Sequence, residues 1–176
     1  MEGWAVWVTG LPSSGKSVIT RLLLERLKEL GVWAQVLESD ELRKVITPLP
    51  NYSEEERDYF YTVMVYVGKL LTQNGVNVIF DATANRRRYR EAARSEIPRF
   101  IEVYVKCSLE VCMKRDVKGI YRKALRGDAS NVPGVQSLYE EPLNPEAVVE
   151  SDMLSPEECT RRVLEVLTRY GFIKGG

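Results

Sequence analysis

The sequence contains no histidine. Imidazole is therefore excluded as general base, as metal ligand and as a proton switch near neutral pH. Any catalysis must come from carboxylates, lysine and arginine. Net charge is absent too, because 25 Lys+Arg balance 25 Asp+Glu. That balance disfavours nucleic acid or a membrane surface as a partner, since both reward a sustained cationic face. No apolar run approaches the ~20 residues of a bilayer span. The chain starts in an apolar strand pattern without a basic-then-apolar leader, so neither a membrane partner nor export is expected. Cysteine is sparse. Cys107, Cys112 and Cys159 lack metal-site spacing, and an odd count makes a poor disulfide framework, so a reducing, cytoplasmic setting is expected.

At 176 residues the chain is long enough for one sizeable core, and residues 1–176 are read as a single domain. Apolar runs alternate with helical patterns. Strands are expected at 4–9, 32–37, 76–80, 100–105 and 147–149. The helix after residue 53 opens on the capping box Ser53-Glu54-Glu55-Glu56, and its apolar face is expected through Tyr59, Val63, Val67 and Leu70. A basic helix is expected from about Arg86 to Ser95. From Asp116 to Asn144 no strand is convincing, and Gly, Pro and charge dominate. Val/Ile-rich strands, each followed by a helix, predict an α/β fold: a three-layer P-loop domain with a mostly parallel sheet.

Gly10 to Ser17, GLPSSGKS, fits G-x-x-x-x-G-K-[ST] and lies between an apolar strand and a helix, as a phosphate-binding P-loop must. The backbone of Gly10, Leu11, Pro12, Ser13, Ser14 and Gly15 would cradle phosphates at the helix N-terminus. Lys16 would reach the β- and γ-phosphates of ATP, and Ser17 would ligate Mg²⁺.

In a parallel sheet, ligands bind at the carboxyl ends of the strands. That rule selects Asp40 as the catalytic carboxylate, either accepting the acceptor's hydroxyl proton or holding Mg²⁺, with a helix cap as the competing use. Asp81 sits where a Walker-B carboxylate would support Mg²⁺. Arg86, Arg87, Arg88, Arg90 and Arg94 crowd one helix and cannot all face one way. The basic residues from 114 to 127 suggest a lid, roughly 114–140, that closes over phosphates and excludes water.

Taken together, these residues resemble the adenylylsulfate (APS) kinase family, an adenylate-kinase-like group of P-loop kinases. The resemblance runs almost the whole length and is strongest in FIEVYVKCSLEVCMKRDVKGIYRKALRG, NVPG and LYEEPLNPE. It implies transfer of the γ-phosphoryl of ATP to the 3′-hydroxyl of adenosine 5′-phosphosulfate, with Mg²⁺, often in a homodimer. It also implies site residues. Asp40 and Arg43 match the Asp and Arg of D-G-D-x-x-R. Tyr52 falls on an adenine-stacking Phe, and Arg57 on a substrate-binding Arg. Arg87 and Arg90 match S-P-Y-R-x-x-R, and Lys118, Gly119 and Ile120 match the lid's K-G-L.

There are departures, all on the acceptor side. Glu38 and Ser39 replace the first Asp and the Gly of D-G-D, Phe60 replaces an Asn, Ala84 replaces the Ser of S-P-Y-R, and Val132 replaces a second stacking Phe. Thr83 lies in Asp81-Ala82-Thr83-Ala84-Asn85, which resembles the D-x-T-N stretch of polynucleotide-kinase-like enzymes. Two alternatives stay open: a kinase of another hydroxyl acceptor (nucleoside, polynucleotide end or small metabolite), and a non-catalytic nucleotide-binding switch.

Overall fold

The structure, a computed structural model, describes residues 1–174. The chain runs β1 (Ala5–Thr9), α1 (Lys16–Glu29), β2 (Ala34–Glu38), α2 (Ser39–Ile46), α3 (Glu54–Gln73), β3 (Asn77–Asp81), α4 (Arg87–Glu96), β4 (Phe100–Lys106), α5 (Leu109–Arg115), α6 (Ile120–Arg126), β5 (Ala147–Glu150) and α7 (Pro156–Arg169). The five strands are all parallel and lie in the order β2-β3-β1-β4-β5. This is the expected three-layer α/β sheet.

Strand alternation builds the two cores. Trp4, Val6 and Val8 point to one face, where they join Ile19, Leu23 and Leu27 of α1 and Val163 and Leu167 of α7. Ala5 and Trp7 point to the other, against Phe60 and Met64 of α3 and Tyr89 and Ala93 of α4. Trp7 stacks on Phe80 with ring centroids 4.5 Å apart. Helix α3 comes so close to the sheet that a Cβ at Gly68 would lie 2.2 Å from the Phe80 ring. A third cluster, Cys107, Cys112, Tyr121, Ala124 and Val132, holds α5 and α6 together beside the sheet's C-terminal edge.

The expected face of α3 holds only at Val67, which packs half-buried against the core around Trp7. Tyr59 is 60% exposed and Leu70 is 42% exposed, while Phe60, Tyr61, Met64, Val65 and Gly68 are buried. The helix carries apolar residues on two faces, and periodicity could not choose between them. The presumed irregular stretch from Asp116 contains one short helix, α6, which begins after Gly119 at φ 67°.

Candidate active site

The loop between β1 and α1 has the geometry of an anion cradle. Gly15 takes φ 102°, a left-handed conformation that favours glycine, and ends the loop at the first turn of α1. At Gly10 a Cβ would lie 2.5 Å from the Val105 carbonyl oxygen, so the loop can pass β4 only without a side chain. Lys16 Nζ donates to the carbonyls of Gly10 (3.0 Å) and Leu11 (2.9 Å). Burial holds the Lys16 pKa below the usual lysine range, while the Asp81 charge works against that shift. The Ser14 carbonyl accepts from Ser151 Oγ (2.5 Å) and Arg115 Nη1 (3.3 Å), which ties the loop to β5–α7 and to α5.

Three carboxylates stand at the strand ends. Asp81 and Glu38 are register partners across the β2–β3 pair. Burial raises the Asp81 pKa, opposed by the Lys16 charge and the Ser17 hydroxyl. Burial, then the Asp81 charge, raises that of Glu38. Asp40 lies in the first turn of α2 and accepts from Lys118 Nζ of the lid. Burial would depress the Lys118 pKa, but the Asp40 carboxylate more than offsets it. The donor set suits Mg²⁺, which is held by one or two carboxylates plus phosphates and water. Asp81, a desolvated carboxylate beside the Ser17 hydroxyl, is where such a cation would relieve the most strain. Among the described residues no three His, Cys, Asp or Glu side chains converge into an all-protein metal site.

One cavity of about 520 Å³ joins this cradle to α2 and α3. Lys16, Asp40, Arg43, Tyr52, Arg57 and Thr83 share its wall, with Ser17, Asp81, Lys118 and Ile120. Arg43 is buried, with its guanidinium 4.0 Å over the Phe60 ring and 4.9 Å from that of Tyr52. Arg57 donates to the Asn131 carbonyl at 2.6 Å and so fixes the loop after α6 to α3. The lid lies against the P-loop. Val117 N–H donates to Ser13 Oγ (3.2 Å), and Tyr121 OH donates to the Pro12 carbonyl (2.7 Å).

Four residues expected at the substrate sit outside the cavity wall. Arg90 is 1% exposed and binds Glu102 at 2.7 Å and the Glu140 carbonyl. Arg87 Nε donates to the Glu141 carbonyl at 2.7 Å, and its backbone N–H to Glu140 Oε2 at 2.8 Å. Both arginines clamp the returning segment 138–146 onto the sheet, because Glu102 and Tyr104 on that face of β4 offer polar groups instead of an apolar floor. Val132 is buried in the lid cluster, and Pro133 takes its place at the cavity. Gly119 caps α6, with its neighbours Lys118 and Ile120 facing the cavity.

Sequence reasoning missed others. Asp116 caps α6 by accepting from the backbone N–H of Tyr121 and Arg122, each at 3.0 Å. Burial would raise its pKa, but those N–H groups hold it below the carboxylate range. Tyr61 and Ser151 line the cavity without any motif to mark them, while Asn85 closes the D-x-T-N-like stretch and Arg115 belongs to the basic run read as the lid.

The adenylylsulphate kinase family profile matches residues 2–150. The chain belongs to that family. It is 40% identical to a probable adenylyl-sulfate kinase of Pyrococcus abyssi, over 98% of this chain and 99% of the relative. It is 37% identical to an adenylyl-sulfate kinase of Rippkaea orientalis, over 98% and 95%. The fold superposes with a TM-score of 0.88 and 32% identity on a Mycobacterium tuberculosis APS kinase solved with AMPPNP and APS, covering 94% of this chain and 98% of that one. Family membership makes this chain a nucleotide-binding kinase.

Proposed function

We propose that the protein phosphorylates the 3′-hydroxyl of adenosine 5′-phosphosulfate with ATP, a step of sulfate activation. The observation that carries the reading is a continuous cavity that connects the P-loop to Asp40, Arg43, Tyr52 and Arg57. ATP binds with its phosphates on Gly10–Ser17, and Lys16 turns from the Gly10 and Leu11 carbonyls to the β- and γ-phosphates. Ser17, Asp81 and Asp40 would hold Mg²⁺, which would supply neutralisation of the phosphate charge. The acceptor lies between α2, α3 and the lid, its base against Tyr52 and its anionic end toward Arg43, Arg57 and Lys118. Asp40 orients the 3′-hydroxyl and receives its proton as the O–P bond forms and ADP leaves. The lid excludes water, so that phosphoryl passes to the acceptor in preference to hydrolysis. Ala84 stands buried where the family carries a serine, and the transfer is direct and in line, with no phosphoserine.

Incubating the protein with ATP, Mg²⁺ and adenosine 5′-phosphosulfate, and separating the nucleotides, tests this. Appearance of 3′-phosphoadenosine 5′-phosphosulfate supports it. Folded, ATP-binding protein that gives no product overturns it. Thr83 in the cavity wall, part of the D-x-T-N-like stretch, and Phe60 beneath Arg43 favour, as the second reading, a different hydroxyl acceptor, which a panel assay with labelled ATP distinguishes.

The assembly we propose is a homodimer that uses the outer face of α3, where Tyr59, Tyr66 and Leu70 stand exposed. Light scattering on the wild type and on Tyr66→Glu checks it. No described helix is long and apolar enough to cross a membrane. Residence in a reducing cytoplasm accords with three buried free thiols.

A further inference from the structure

We infer that Glu56 is the positioning residue of the acceptor half of the site, a role that rests on reading that half as proposed above. In a capping box the glutamate at the third helical position reaches back to the backbone N–H of the cap residue. Glu56 does not. Its own N–H donates to Ser53 Oγ at 3.1 Å, as a cap requires, but Ser53 N–H donates to Asn51 Oδ1 at 2.8 Å. The Glu56 carboxylate reaches further. Oε2 accepts from Asn51 N–H at 2.8 Å and Oε1 from Tyr52 N–H at 3.0 Å. Oε1 also lies 3.5 Å from Arg43 Nη1, with both side chains largely buried.

One carboxylate thus joins α2, α3 and the loop between them. Two of the three groups it holds, Tyr52 and Arg43, line the cavity. Tyr52 needs the support, because its φ of 56° is a left-handed conformation that costs a non-glycine residue stability unless its surroundings enforce it. Arg43 needs it as well. Its Nη1 has no hydrogen-bond partner, so Glu56 supplies charge from one side while the Phe60 ring supports the guanidinium from the other. The family's Asn could offer a polar contact at residue 60; Phe60 offers only a ring face. Orientation of Arg43 in this chain therefore depends on Glu56.

The test compares Glu56→Gln, Glu56→Ala and Ser53→Ala. Ser53→Ala removes the helix cap and leaves the Glu56 contacts in place. The readouts are melting temperature, kcat, and separate KM values for nucleotide and acceptor. The acceptor KM is expected to rise about tenfold in Glu56→Gln and further in Glu56→Ala, because Gln loses the charge and one of the two acceptor oxygens, and Ala loses both oxygens. Nucleotide KM and kcat are expected to hold within about twofold, by the rule that lost ground-state binding appears in KM alone. Ser53→Ala should lower the melting temperature without moving the acceptor KM. The inference is overturned if the Glu56 variants match Ser53→Ala, or if nucleotide and acceptor terms fall together. Absence of wild-type turnover on adenosine 5′-phosphosulfate would instead count against the proposed substrate. The KM comparison would then be made on whichever acceptor of the panel is turned over.

Discussion

Lys118 of the lid donates to Asp40 of α2 across the mouth of the cavity. The two are 78 positions apart in sequence, and both are half-exposed or more. An exposed pair of this kind contributes only about 0–1 kcal/mol to stability. Its importance is to the chemistry, since it places the lid's cation beside the proposed proton acceptor.

Replacing Lys118 by Ala should therefore leave the melting temperature unchanged. The acceptor kcat/KM should fall by about 10- to 100-fold, the scale of one lost charge-assisted contact. Asp40→Asn keeps the shape and loses the base, so kcat should fall by about 10²–10⁴-fold. Steady-state kinetics with nucleotide affinity measured separately checks both. A Lys118→Ala enzyme with a wild-type acceptor term would show that the contact is incidental.

Glu38 gives a pH dependence of stability. Its folded-state pKa is raised by burial and then by Asp81. The folded form thus holds its proton to higher pH than the unfolded chain does. The associated stability is fully present below the ordinary glutamate value of about 4.3 and is lost as pH rises through the folded value. Glu38→Gln removes the penalty of ionising there. The variant should melt above the wild type at pH 7, and the difference should shrink as pH falls toward about 4. A melting difference that grows on acidification would reverse the assignment.

Asp116 offers a way to loosen the lid from outside the cavity. Its carboxylate holds the first N–H groups of α6, whose Tyr121 hydroxyl reaches the P-loop. Asp116→Ala leaves those donors unpaired. Loss of a helix cap costs typically ~1 kcal/mol, enough to raise the open fraction of a lid about fivefold. ATP hydrolysis without acceptor should rise by about that factor while acceptor phosphorylation falls. Phosphate release followed in the absence of acceptor measures it, and an unchanged background rate would mean that the lid does not depend on this cap.

The P-loop, the parallel sheet and the place of Asp81 at a strand end were legible because backbone chemistry fixes them locally. A glycine before a helix and an acid after an apolar run have few alternative uses. The α3 face was not legible, since Tyr59, Val63 and Leu70 repeat at helical spacing as well as Phe60, Met64 and Met64's neighbours do. Glu56 looked like an ordinary capping glutamate, and only the path of the 51–52 loop reveals its longer reach. Arg87 and Arg90 matched the family's spacing, and in this chain they hold the returning segment. What they touch depends on where segment 138–146 returns, and no local pattern contains that.

Arg90 separates a structural from a substrate-binding use of those arginines. Its guanidinium is buried against Glu102 and the Glu140 carbonyl, with the Tyr139 ring 5.8 Å away. Removing Arg90 leaves buried Glu102 with only the longer Arg94 pair at 3.6 Å, at a cost approaching the roughly 3–5 kcal/mol of a broken buried pair. For a chain of this size Arg90→Ala should then lower the melting temperature by roughly 10 °C. Assayed below its transition, the variant should keep its acceptor KM within about twofold, as expected of a residue that makes no substrate contact. The double change Arg90→Met with Glu102→Leu should recover much of the lost stability, because a matched apolar pair avoids the burial cost of both charges. If Arg90→Ala melts like the wild type but binds acceptor ten times more weakly, the clamp is not its main task, and the family's spacing identifies its role after all.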